Sequence, residues 1–187
     1  MIRRTIETRR LILRPFERSD AADVQRLAGE YAVADTTLNI PQPYEDGMAE
    51  DWIATHEPGF AAHRHVVFAI SSAQQQELIG AISLILERRF DSGELGYWIG
   101  KPFWNQGFCT EAAIATLDYG FTVLGLNRIG AKFLARNPAS GRVMEKAGMV
   151  LEGTARQAAK KWGKYEDLML YGALREEWSP PHPQSSG

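Results

Sequence analysis

The stretch from residue 66 to residue 124 constrains the fold most, because it presents three strands in succession and then a helix. Val66 to Ile70 and Leu78 to Leu86 are apolar runs rich in β-branched residues, and the polar segment Ser71 to Gln76 makes an antiparallel hairpin the shortest connection between them. Asp91 to Gly93 supplies the next turn, and Glu94 to Gly100 follows as a strand whose side chains alternate between two faces. Ala113, Leu117, Phe121 and Leu124 then recur at helical spacing, so an amphipathic helix from Thr110 to Leu124 follows the loop after Gly100, and Gly125 ends it. Strands joined by hairpins and then covered by a helix imply an α/β domain with a mixed sheet.

The flanks extend this plan. Thr8 to Phe16 alternates Leu11 and Leu13 with arginines, the pattern of a half-buried strand ended by Pro15. Ser19 is the expected N-cap of a helix carrying Val24, Leu27 and Ala28, and Glu45 to His56 reads as a second helix with Met48, Trp52 and Ile53 on one face. Residues 30 to 44 show no period. Arg128 to Ala135 is another strand, after which Asn137 and Pro138 cap and open a helix to Lys146, with Gly148 at its stop. Two further strands, roughly 149 to 158 and 165 to 174, give a total of about seven strands and about four helices. Residues 1 to 178 read as one domain, and the Pro- and Ser-rich residues 179 to 187 as a disordered tail.

Charge and cysteine content narrow the function. A net charge of -2 offers no general attraction to phosphate polymers, which argues against nucleic acid as a ligand. The basic pairs Arg3 and Arg4, Arg9 and Arg10, Arg88 and Arg89, and Lys160 and Lys161 are short and dispersed, and read as solvated faces or turn decoration. Cys109 is the only cysteine, so no intrachain disulfide forms, and no Cys/His spacing points to a metal. With no apolar run of membrane length, the expectation is a cytoplasmic protein with no membrane or metal partner, monomeric or homodimeric.

The chemistry concentrates in the loop from Trp104 to Thr110. A glycine-bearing loop between a strand and a helix exposes free N–H groups at the positive end of the helix dipole, which suits a phosphate or diphosphate. The loop has neither the Gly-Lys-Ser/Thr ending of a nucleotide-hydrolysing loop nor a full dinucleotide fingerprint, so hydrolysis of ATP and hydride transfer both lose ground.

Four elements together give a sharper signal. They are Thr8 to Phe16; Glu94 to Ile99 with Trp104, Gly107, Cys109, Thr110, Glu111 and Ala112; Asn137, Ser140, Arg142, Val143, Glu145, Lys146 and Gly148; and Tyr165, Glu166, Asp167 and Tyr171. In this order and spacing the chain resembles the GNAT N-acetyltransferases over about residues 7 to 178, in the branch that includes the ribosomal-protein N-terminal acetyltransferases. The resemblance implies the acyl-CoA N-acyltransferase fold, with the fourth and fifth strands parallel and splayed, and acetyl-CoA as co-substrate. It implies transfer of acetyl to a primary amine by direct attack in a ternary complex. The acceptor it suggests is a protein or peptide N-terminus, with a small amine (an amino acid, polyamine or aminoglycoside) as the alternative, and a catalytically silent acyl-CoA-binding module as a third reading.

By the same resemblance, Trp98 and Ile99 offer backbone contacts to the cofactor, Gln106, Gly107, Phe108, Cys109 and Thr110 cradle its pyrophosphate, and Asn137 touches the pantetheine arm. Glu94 is the candidate general base and Ser140 the candidate general acid, with Tyr97 or water as alternatives for the acid. Two departures from the family pattern stand out: Trp104 and Cys109 occupy the first and last positions of the loop, and Met144 stands where many relatives carry a tyrosine that protonates the thiolate. Cys109 as an acyl-carrying nucleophile is rejected, since no histidine lies near it in sequence and a small residue is required there. Tyr31, Asp35, Tyr44, Trp52, Trp98 and Trp162 are candidates for the acceptor side.

Overall fold

The computed structural model describes residues 5–181. Its strands are β1 (Ile6–Glu7), β2 (Leu11–Arg14), β3 (His65–Ser72), β4 (Leu78–Glu87), β5 (Ser92–Ile99), β6 (Arg128–Leu134), β7 (Val150–Lys161) and β8 (Lys164–Leu174). They form one sheet in the order β1-β2-β3-β4-β5-β6-β8-β7, antiparallel except for the β5–β6 pair. The expected mixed, mostly antiparallel sheet is therefore present with one strand more, because β1 is two residues long and leaves no periodic signature.

Six α-helices lie among the described residues: α1 (Ala21–Ala28), α2 (Tyr31–Thr36), α3 (Met48–Ala54), α4 (His56–Ala61), α5 (Phe108–Thr122) and α6 (Pro138–Lys146). The helix expected from Glu45 to His56 starts only at Met48, after Gly47 in the left-handed region, and gives way to α4 at Thr55. α2 falls in the stretch that showed no period, being too short to complete two turns. Ser19 does not cap α1; it sits within a 3-10 turn, Arg18–Asp20, whose capping box joins Glu17 and Asp20. Asp20 is buried there and accepts both ends of the Arg14 guanidinium, at 2.7 and 2.8 Å. Of the expected tail, residues 182–187 lie outside the described residues.

The core divides by the alternation of strand side chains. On one face Val66, Phe68 and Ile70 of β3 and Leu95 of β5 pack with Ala113, Leu117 and Phe121 of α5, the stripe the sequence predicted. On the other face Val67 and Ala69 meet Val24 and Leu27 of α1 and Ala49 of α3. Being covered on both sides, β3 reads as an uninterrupted apolar run. No helix of the described residues is long and apolar enough to cross a membrane.

Candidate active site

The site begins where the two parallel strands part. β5 and β6 pair only from Ser92 with Arg128 to Leu95 with Ala131. Beyond that point β5 stays on β4 as far as Ile99 while β6 stays on β8 as far as Leu134, so the sheet opens into a V. Each arm has a better partner outside the V than inside it, which is what keeps the gap open.

Backbone direction inside the V follows from one hydrogen bond. The Gly100 N–H donates to the Ile79 carbonyl at 2.9 Å, and backbone groups alternate sides along a strand. The Trp98 amide therefore turns toward β4, whereas the N–H groups of Tyr97 and Ile99 turn into the gap. The Ile99 carbonyl, on that same side, accepts the Trp104 indole N–H at 2.7 Å. Trp104 thus ties the start of the loop to the end of β5, a role any long donor at that position can fill.

The loop itself is shaped by two left-handed residues, Asn105 with φ 60° and Gly107 with φ 78°. Gly107 is the N-cap of α5, so the first amides of that helix point outward without intrahelical partners. A side chain at Gly107 would require a backbone conformation that costs β-carbon residues about 1–2 kcal/mol, and its Cβ would lie 3.4 Å from an Arg10 nitrogen. The loop is anchored from the turn between β1 and β2: Arg10 donates to the Gln106 carbonyl at 2.9 Å and to Glu111 at 2.7 Å, and stacks 4.6 Å over the Phe108 ring. Thr8 donates to the other Glu111 oxygen at 2.7 Å. Burial pushes the Glu111 carboxyl up, but these hydrogen bonds outweigh it and hold the group below the usual carboxylate range.

Two cavities meet at the V. The first, about 290 Å³, runs between the α5 and α6 N-termini along Ile99, Gly107 to Thr110, Asn137, Arg142 and Lys146. The second, about 550 Å³, lies on the α1/α3 face between Tyr44, Asp51 and Trp52 on one wall and Ile85, Glu94 and Lys132 on the other. Thr36, Thr37, Tyr97, Trp98 and Ser140 line both. A molecule held in one reaches a molecule held in the other across these five residues.

The model of the acetyltransferase (GNAT) domain family matches residues 10–150. The chain belongs to the GNAT acetyltransferases. It is 30% identical over 178 residues to an uncharacterised N-acetyltransferase of Bacillus licheniformis, covering 94% of this chain and 98% of that one. It is 26% identical over 190 residues to the ribosomal protein uS5 alanine N-acetyltransferase of Escherichia coli, covering 94% and 93%. The crystal structure of a GNAT-family acetyltransferase from Bacillus anthracis superimposes with a TM-score of 0.82 at 27% identity, over 93% of this chain and all of that one. The protein is an acetyl-CoA-dependent N-acetyltransferase.

Within this acetyltransferase most of the anticipated residues converge. Trp98, Ile99, Gly107, Phe108, Cys109, Thr110 and Asn137 all line the first cavity; Gln106 does not, since its side chain donates to the Pro102 carbonyl at 2.9 Å. Glu94 lies on the wall of the second cavity, half-exposed and ion-paired with Lys132 at 2.9 Å. Ser140 stands on the shared wall. Asn137 makes no side-chain cap to α6; its amide donates instead to the Ser140 hydroxyl at 3.0 Å and to the Thr36 carbonyl at 3.3 Å. The side chain is turned toward Thr36, which α2 brings beside it.

Tyr97 donates its hydroxyl to the Ser140 carbonyl at 3.1 Å, and burial, with the neighbouring Cys109 sulfur, raises its phenol above the usual range. Burial likewise pushes the Cys109 thiol up, so it stays protonated and makes a poor nucleophile. Met144, in the tyrosine position of other family members, is buried in the core. Of the acceptor-side candidates, Tyr44, Trp52 and Trp98 line the second cavity, whereas Tyr31, Asp35 and Trp162 lie outside its lining.

Sequence reading missed three groups. Thr8, Arg10 and Glu111 brace the loop, and their signal was their shared place in the family pattern. Arg142 and Lys146 stand one helical turn apart on α6 beside the first cavity, and the spacing of four marks them as neighbours. Thr36 and Thr37 sit in a segment without any pattern. The basic pairs also prove unequal: Lys161, read as turn decoration, is buried, within 3.5 Å of the Leu38 and 3.3 Å of the Ile40 carbonyls, and burial lowers its ammonium pKa.

Proposed function

We propose that this enzyme acetylates the free α-amino group of a peptide or protein N-terminus, by direct attack within a ternary complex. The observation that carries this reading is the wall shared by the two cavities, which lets donor and acceptor meet without a covalent relay on the protein. Acetyl-CoA supplies the activated acyl group, and every other requirement falls to this chain: a neutral amine, a stabilised oxyanion and a protonated thiolate.

The donor belongs in the first cavity. Outward-facing amides at Gly107, Phe108, Cys109 and Thr110 suit a pyrophosphate, and the close approach needs the small residues found there. Gln106 contributes through the shape of the loop. Arg142 and Lys146 add positive charge beside the same cavity. The amide of Ile99, free in the gap, is placed to polarise the acetyl carbonyl, with Trp98 walling the thioester from the side and Asn137 close to the pantetheine arm.

Glu94 acts as general base through a water molecule, because it stands on the acceptor face of β5 two residues below Gly96, where the strands begin to part. That step is about 7 Å along a strand, one water's reach beyond a direct hydrogen bond. Ser140 acts as general acid. Its oxygen already accepts the Asn137 N–H, so its own proton is directed elsewhere, toward the donor cavity. Tyr97, whose proton is committed to the Ser140 carbonyl, is the weaker choice.

The acceptor cavity extends from Trp98 to Glu94 and Ile85, four residues of strand or about 13 Å, enough for three or four residues of an extended peptide. Asp51 beside Tyr44 and Trp52 favours a second reading, a small cationic amine such as a polyamine, since a carboxylate and aromatic faces both attract ammonium groups. Thiol release from acetyl-CoA against N-terminal peptides, polyamines, amino acids and aminoglycosides separates the two. Turnover confined to peptides supports the first reading, and turnover confined to small amines replaces it with the second.

A further inference from the structure

A six-residue helix does not hold its shape in water, and α2 has no side-chain cap at its N-terminus, only the Thr36 and Thr37 hydroxyls on its own carbonyls at the other end. Yet its C-terminal turn supplies Thr36, followed by Thr37, to the wall shared by both cavities. What fixes that turn is a pair of grips from the loop between β6 and α6, in which two consecutive residues hold two consecutive residues. Arg136 donates to the Asp35 carboxylate at 2.9 and 3.1 Å and to the Asp35 carbonyl at 2.8 Å. Asn137 donates to the Thr36 carbonyl.

We propose that Arg136 is a positioning residue for acetyl transfer, holding α2 and the Asn137–Ser140 pair in register over the junction of the donor and acceptor cavities. The third nitrogen of the guanidinium, Nε, donates to Glu166 of β8 at 2.9 Å, so one side chain joins α2, the β6–α6 loop and the sheet. The tip of the β7–β8 hairpin completes the clamp. Trp162 and Gly163 both have positive φ, as a two-residue turn between Lys161 and Lys164 requires, and this turn aims the Trp162 indole N–H at Asp35, 2.7 Å away. Trp162 also stacks on Tyr31 at the start of α2, with ring centroids 6.0 Å apart.

The consequence for chemistry runs through Asn137. Its one amide nitrogen serves both Thr36 and the Ser140 hydroxyl, so a displacement of α2 reorients the hydroxyl beside the thioester. The Arg136 and Asp35 side chains are about a third exposed, at 35% and 29%, so their pairing contributes little to global stability. Loss of Arg136 is therefore read in kinetics before it is read in folding. Lysine cannot replace it fully, because an ammonium lacks the planar fork that spans Asp35 and Glu166 together.

This inference rests on the reading of the two cavities as donor and acceptor sites. The test compares Arg136→Ala and Arg136→Lys with the wild type, using the best acceptor of the panel, with kcat expressed per acetyl-CoA site titrated by calorimetry. Arg136→Ala is expected to lower kcat about ten- to a hundredfold, the cost of an ångström-scale misplacement. Acetyl-CoA affinity should stay within a few-fold, Arg136→Lys should be intermediate, and amide exchange over residues 31–37 should quicken in both. Wild-type kcat per site in Arg136→Ala, or a fall in thermal midpoint and active fraction alone, overturns the positioning role. Gly107→Val serves as the control: if it leaves acetyl-CoA binding unchanged, the donor-site reading itself fails and takes the inference with it; if it weakens binding while Arg136→Ala keeps full kcat, only the positioning role falls. Should Arg136→Ala fail to fold, Arg136→Lys with wild-type kcat gives the same refutation.

Discussion

The two cavities at the V, proposed as donor and acceptor sides, are built in different ways. The first cavity, the proposed donor side, takes its anion-facing wall from neighbours in sequence, Trp98 to Thr110 running from β5 through the loop into α5 and offering backbone amides, with α6 facing it. The acceptor side gathers residues from Val24 to Met144, and its contributions are side chains on four helices, four strands and a loop. Backbone recognition tolerates substitution, which is why Trp104 and Cys109 fit where other residues stand in the family pattern. Side-chain recognition does not, and it is where one acetyltransferase differs from another.

That contrast breaks or holds on a series of variants. The largest effect belongs to Glu94→Gln on the acceptor side: kcat should fall about 10²- to 10³-fold, mainly on the low-pH limb where the amine needs deprotonation, with acetyl-CoA affinity unchanged. A pH–rate profile that overlays the wild type removes Glu94 from the mechanism. Ser140→Ala, on the shared wall, should lower kcat by about 10²-fold without moving either affinity; if acetyl-CoA affinity falls and kcat does not, Ser140 is a binding residue only.

Gly107→Val tests the donor side in isolation. A valine that lets the loop relax out of the left-handed shape costs about 1–2 kcal/mol to restore on binding, about a tenfold weaker acetyl-CoA Kd, with obstruction of the anion adding to it, and the acceptor KM should not change. Equal loss on both sides would mean that the two cavities are not separable.

The smallest effect concerns the brace. Because Glu111 is held below its ordinary pKa, its contribution to stability is complete above the usual carboxylate range and is lost as pH falls through the lowered value. Glu111→Gln should cost about 1 kcal/mol at neutral pH, a fall of about 2–4 °C in Tm, and should flatten the acid limb of the stability curve below about pH 4. An unchanged acid limb would place that transition on other carboxylates, with Asp20 the next to examine.

Legibility in the sequence follows the same division. The α5 stripe, the hairpin of β3 and β4, the strand–loop–helix unit and the place of Gly107 at the start of α5 all depend on residues within a few positions of one another, so periodicity and turn chemistry carry them. The direction of the backbone amides is not legible in the same way: Trp98 turns to β4 while Tyr97 and Ile99 turn into the gap, because that side depends on strand pairing and not on identity. Asn137 looked like a cap for the same kind of reason. Its type and place suit a cap, but its amide bonds Ser140, three residues on, and Thr36, brought to it by the fold. Lys161 looked like surface because nothing local hints at the 38–40 loop folding over it.

What the amino-acid sequence determined by itself was the α/β sheet, the family and the position of the glycine loop before α5, since hydrophobic period, β-branched runs and a single glycine are local properties that survive any packing. What only the tertiary structure decided was the opening of the V, the meeting of the two cavities, and the grip of Arg136 and Asn137 on Asp35 and Thr36. Those contacts join residues 101 positions apart, and no local pattern specifies a pairing whose cost of closure is met only when the whole sheet has formed.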